Sequence, residues 1–193
     1  QGIDEGFSNY LRQYWVAQEI STDEAVVSWS DEGLPEFNYQ AWGASNDFVM
    51  AMYSRIFYQI TLCNEFIRES SDSKLDKRGL SSSEKEKIRT YRAEARFLRA
   101  FSYWHALDMF GEVPLVTEKD GIGAYQPKQA TKQEIYEFIE TELKDIEDKL
   151  LAPKTNEYAR ADQAAAWTLL AKLYLNSEVY IGERKYTECL TYC

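Results

Sequence analysis

The sequence predicts a mainly α-helical protein in which antiparallel helix pairs are joined by long ordered loops. Three features carry that prediction. Apolar residues recur every three to four positions through four windows, the spacing that turns one face of a helix inward. Ser/Thr-x-x-Glu capping boxes open two of those windows, at Ser81–Glu84 and Thr131–Glu134. Small residues cluster where helices would cross, at Ala164, Ala165, Ala166 and Ala171.

Residues 1–43 are set apart by aromatics, Phe7, Tyr10, Tyr14, Trp15, Trp29, Phe37, Tyr39 and Trp42, interleaved with Asp, Glu, Ser and Gly. A first helix is expected from Phe7 to Val16. From Ile20 to Ala41 no helical period is sustained, and Gly33 and Pro35 break the run, which reads as a long ordered loop of the kind that carries function.

Residues 44–193 read as the helical region. Ser45 is the expected N-cap of a helix reaching about Glu69, whose inward stripe is Phe48, Met52, Ile56, Ile60, Asn64 and Ile67. Ser70–Leu80 reads as a polar linker. The next helix spans about Ser82–Phe110, with Ile88, Tyr91, Ala95, Leu98, Ser102 and Ala106 on one face, Phe97, Phe101 and Trp104 beside them, and Gly111 as an αL cap. Val113–Val116 reads as an extended stub and Gly121–Pro127 as a loop. Thr131 opens a helix with the stripe Ile135, Phe138, Ile139, Glu142, Ile146 and Leu150, closed by Pro153. A further helix spans about Ala161–Ser177, filling its groove with Trp167, Leu170, Leu173 and Tyr174. Together these make irregular tetratricopeptide-like pairs without a strict period. Glu183–Cys193 reads as a helix that stops uncapped, and Gln1-Gly2-Ile3 lacks the basic and apolar regions of a leader; both suggest an incomplete chain in mature numbering.

Composition narrows the function. Among 193 residues, 22 Lys and Arg face 32 Asp and Glu, and a net charge of −10 points away from nucleic acid and from anionic lipid. No apolar run is long enough to span a bilayer as a helix. Cys63, Cys189 and Cys193 lack CxxC spacing and read as free thiols, and the single His105 has no companion imidazole, so neither metal nor cofactor is expected. The charged row Arg92, Glu94, Arg96, Arg99, His105 and Asp108 has the three- and four-residue spacing of intrahelical pairs that snorkel over an aromatic stripe, a structural role rather than a catalytic one.

The run from Tyr91 to Val116, YRAEARFLRAFSYWHALDMFGEVPLV, resembles the most distinctive segment of the SusD/RagB family of outer-membrane glycan-binding lipoproteins. RADQAAAWTLLAKLYLN, residues 160–176, resembles that family's next tetratricopeptide-like helix, and EISTDE, residues 19–24, a motif before its ligand loop. The resemblance implies the amino-terminal portion of a longer helical protein, forming one domain with the remainder. It further implies a lipid anchor upstream of Gln1 as the only membrane attachment, a place on the outer-membrane surface, and a TonB-dependent SusC-like transporter as partner. The implied function is non-catalytic capture of an oligosaccharide or polysaccharide for uptake.

Placing the Ser-Thr-Asp-Glu motif in register with the family implies Arg12 and Trp29 as glycan contacts, with Glu32 where the starch-binding pattern has an amide and Asp31 adding charge beside it. Starch specificity is thereby put in question. An exposed indole suits the work, because its flat face covers the C–H face of a sugar. A competing reading makes Trp29 a loop anchor and Arg12 the partner of an acid on its own helix. Phe37, Tyr39 and Trp42 read as core plugs before an aromatic platform. Adjacent carboxylates, Asp23–Glu24 and Asp31–Glu32, seldom flank a sugar as a glycosidase requires. The other open function is a tetratricopeptide-like scaffold that recognises a protein without binding glycan.

Overall fold

The computed structural model describes residues 9–121, 123 and 126–193. Phe7 and part of the expected Gly121–Pro127 loop lie outside the described residues. Two compact units result, Gln1–Tyr58 and Gln59–Cys193. Among the described residues every regular element is helical, with one isolated antiparallel bridge, Pro114 to Gln129.

In the first unit α1 (Tyr10–Trp15) starts at Asn9, whose side chain accepts from the Leu11 and Arg12 amides. It passes directly into a π-helical turn, Val16–Ile20, so the expected straight helix ends in a widened turn. A short helix, α2 (Pro35–Asn38), lies inside the stretch read as loop, with proline in its first turn, where its missing N–H costs nothing. Val16, Ile20, Leu34, Phe37 and Phe48 form the core of this unit.

α3 (Asp47–Glu69) contributes its first turns to one unit and the rest to the other. Its cap is Asn46 and not Ser45: the Asn46 Oδ1 accepts from Phe48 N at 2.9 Å and Val49 N at 3.3 Å, while Ser45 is exposed. All six residues of the expected stripe are buried. Each buried Ile of that stripe contributes roughly 1.5–3 kcal/mol relative to exposure.

Within the second unit, the expected polar linker contains a helix, α4 (Asp72–Lys77), because Leu75 is fully buried and anchors the segment. α5 (Ser82–Phe110) has the expected bounds and its capping box. Its buried side is nevertheless centred on Arg99, Ser102, Tyr103 and Ala106, and Leu98 is exposed. Gly111 ends it at φ 73°, ψ −104°, a positive φ outside the αL region, and a Cβ there would sit 2.9 Å from Lys132 Cε.

The Val113–Val116 stub is extended because side chains satisfy its backbone. Tyr103 OH donates to Val116 O at 2.8 Å and accepts from Val116 N at 2.7 Å, and Asn64 Nδ2 donates to the same carbonyl at 3.0 Å. α6 (Lys132–Ile146) has its Thr131 capping box, packs along α5 and then against α7 (Gln163–Leu175), which Asp162 caps. α8 (Ser177–Ile181) and α9 (Tyr186–Thr191) close the unit against α7.

Helix pairs therefore supply the architecture, but Glu94, Arg96 and Arg99 of the charged row take partners outside α5. Arg99, 1% exposed, reaches Glu142 of α6 at 2.6 Å, Glu118 at 2.5 Å and Asn64 Oδ1 at 2.7 Å. Arg96 binds Glu142 at 2.6 Å and Asp145 at 2.5 Å, and Glu94 holds Arg160 at 2.5 Å. Their spacing allowed local pairs, but α6 presents its own carboxylates to the same face, and a guanidinium removed from water needs such partners.

Candidate functional site

In the first unit the aromatic loop is ordered by side-chain amides. Asn38 Nδ2 donates to Ile20 O at 3.2 Å and to Ala25 O at 3.3 Å, while Gln40 Nε2 donates to Ser21 O at 2.9 Å. Asn46 uses both ends of its amide. Besides capping α3 through Oδ1, its Nδ2 donates to Gly33 O at 2.8 Å and to Glu36 Oε2 at 2.7 Å. Gly33 has φ 83°, and a Cβ there would lie 2.9 Å from the same Nδ2, so both its conformation and the amide's approach favour glycine. At Thr22 the hydroxyl donates to Glu19 O and accepts from Glu24 N, closing the turn in the EISTDE segment.

On this frame Trp29 is 61% exposed. The guanidinium carbon of Arg12, from α1, lies 5.7 Å from the centre of its ring, a cation–π distance. The same guanidinium pairs with Asp31 at 3.7 Å, with both side chains partly in water. Among the described residues Arg12 thus engages the loop, through Asp31 and Trp29. Three of the four expected site residues, Arg12, Trp29 and Asp31, meet in one place; Glu32 is exposed beside Asp31 in sequence.

The cation orients the indole without burying it. Of the neighbouring aromatics, Phe37 is core, Trp42 stacks on it at 5.4 Å and 16° with part of its surface exposed, and Tyr39 is exposed. Asn38, Gln40 and Asn46, which hold the loop, escaped the reading of the sequence. Asn46 sits directly before a helical window, the position where an Asn cap was readable; nothing in spacing marks the other two.

Chemically, this is a presented aromatic face flanked by a paired guanidinium and carboxylates. It can stack on an apolar ring face and offer donors and acceptors to hydroxyls. Among the described residues no group of His, Cys, Asp and Glu is arranged to hold a metal ion. No described helix is long and apolar enough to cross a membrane.

Residues 9–175 match the model of a SusD-like family described as starch-binding and associating with the outer membrane. The starch-binding protein SusD of Bacteroides thetaiotaomicron is 34% identical over 192 residues, which is 99% of this chain and 32% of that protein. SusD-like protein P2 of Formosa agariphila is 29% identical over 146 residues, 72% of this chain and 26% of that one. Among solved structures, one with a xylogluco-oligosaccharide aligns at a TM-score of 0.76 and 21% identity, covering 96% of this chain and 36% of its own. A surface glycan-binding protein A from Bacteroides uniformis aligns at 0.73 and 22%, covering 99% and 40%. The chain spans about a third of the length of the curated relatives it matches. Over that span, in sequence and in fold, it belongs to the SusD-like family.

Proposed function

We propose that this chain forms part of a non-catalytic, surface-exposed glycan-capture lipoprotein of the outer membrane that delivers an oligosaccharide or polysaccharide to a TonB-dependent SusC-like transporter. Trp29 is its stacking surface and Arg12, Asp31 and Glu32 its polar contacts. The observation that carries the reading is the exposed indole braced by Arg12 in a loop pinned at Ile20, Ser21, Ala25 and Gly33. A core tryptophan would be covered, whereas this one is oriented and left open. Family membership supplies the ligand class, and the names of its relatives, starch-binding and surface glycan-binding, agree with it.

Starch itself is not part of the proposal. Two adjacent carboxylates at Asp31 and Glu32 present acceptors only, so they suit a sugar that donates there. Titration calorimetry of the intact protein against starch, xyloglucan and xylan oligosaccharides tests the site. Trp29→Ala is expected to weaken the bound glycan about tenfold or more, the loss of roughly 1.4 kcal/mol of stacking, while the far-ultraviolet circular dichroism stays native. Unchanged affinity in that variant would refute the assignment of Trp29.

A further inference from the structure

The segment around Trp29 is rich in exposed carboxylates. Between residues 9 and 58 the sequence carries Arg12 and Arg55 as its only basic residues, against seven carboxylates. Asp23, Glu24, Asp31 and Glu32 are exposed. Arg12, the cation placed at the indole, is already held by Asp31 at 3.7 Å.

We infer that the Trp29 site takes uncharged glycans and rejects acidic ones, both uronates and sulfated sugars. The inference rests on the glycan-capture reading above and specifies its ligand. Two peptide units separate Asp31 from Trp29, which bounds their Cα atoms to about 7 Å. The Asp31 carboxylate shares Arg12 with the indole, so a carboxylate or sulfate on a ring stacked over Trp29 meets its charge at a separation comparable to the Debye length of about 8 Å at physiological ionic strength, where salt weakens the repulsion without abolishing it. A uronate that reaches Arg12 shares its guanidinium with Asp31 or displaces it. In either case Asp31 stands beside the incoming carboxylate, so the contact with Arg12 comes with a like-charge contact that a neutral sugar avoids. A neutral sugar meets no such opposition, since its hydroxyls donate to the same carboxylates.

The test uses matched pairs: maltohexaose, cellohexaose, xylohexaose and a xyloglucan oligosaccharide, each beside its C6-oxidised or sulfated counterpart, titrated into the intact protein. At least one neutral member is expected to bind, with its acidic counterpart about tenfold or more weaker at low salt, and the gap is expected to narrow as salt rises to about 0.5 M. In Asp31→Asn/Glu32→Gln the ratio of acidic to neutral affinity is expected to rise about tenfold. Trp29-dependent binding of an acidic glycan as tight as its neutral partner, with no rise of that ratio in the double variant, would overturn the charge inference and leave glycan capture standing. Silence from every neutral and acidic member would sink glycan capture and this inference with it.

Discussion

Replacing Arg99 by Met tests whether the ion network in the second unit is a structural requirement. Arg99 is 1% exposed and donates to Glu142, Glu118 and Asn64. Arg96 and Arg99 together face Glu118, Glu142 and Asp145. Removing Arg99 leaves three carboxylates against one guanidinium, and Glu142, almost wholly buried, cannot recover its loss from water. Breaking a buried pair from one side costs about 3–5 kcal/mol. Met fills much of the stem volume, so cavity formation adds little. At this chain length that cost lowers the melting temperature by roughly 10 °C. Glu142→Gln should do less, about 1.5–3 kcal/mol, because the amide oxygen still accepts and both guanidiniums keep another carboxylate. Thermal melting followed by circular dichroism measures both variants. A loss below about 1 kcal/mol for Arg99→Met, or a larger loss for Glu142→Gln, would refute this account of the network.

Three other outcomes follow from the structure. Burial lowers the pKa of His105 from its ordinary 6.5 to about 4; the charge of Asp108 opposes the shift and that of Lys172 adds to it. The folded state therefore takes up its proton later than the unfolded chain. Stability is complete above pH 6.5, and between pH 7 and 5 it should fall by about 2 kcal/mol; denaturant midpoints across that range should keep this slope in the wild type and lose it in His105→Gln. Asn46→Asp retains an oxygen to cap α3 but sets a carboxylate against Glu36 and the Gly33 carbonyl. It should destabilise the protein by about 1–2 kcal/mol in the same assay, more than Asn46→Ser, which keeps the cap without the repulsion. Finally, burial pushes the Cys63 thiol up to about 11, with the Arg99 charge opposing it, so a thiol reagent at pH 8 should label exposed Cys193 at once and Cys63 only on unfolding; rapid native labelling at Cys63 would contradict its burial.

Helices were readable where periodicity and caps agreed. Ser81–Glu84 and Thr131–Glu134 mark two starts to the residue, because a capping box satisfies two backbone amides with local atoms and needs nothing from the rest of the fold. The stripe of α3 was readable for a similar reason, since six apolar or amide positions repeat at helical spacing and all turn inward. What escaped was decided by partners distant in sequence. α4 forms in a polar run because Leu75 finds a buried place there. Arg99 lies inside because Glu142, 43 residues on, and Glu118, 19 residues on, meet it there.

The site divides along the same line. Resemblance to a family groups Arg12, Trp29 and Asp31, but composition and spacing alone favour Trp29 as a loop anchor packed on the helices. Exposure of an indole depends on whether the chain around it can be held without using the ring as its anchor. Here the anchoring is done by Asn38, Gln40 and Asn46, which hydrogen-bond backbone carbonyls 13–19 residues away. Amides can do this because each carries donors strong enough to fix a carbonyl at short range and none of the apolar surface that would demand burial. The ring is thereby left exposed. The same logic makes the loop amides a sharper test of presentation than the tryptophan: Asn38→Ala should weaken glycan binding with Trp29 intact, and glycan affinity equal to wild type in that variant would show that the loop does not need its frame.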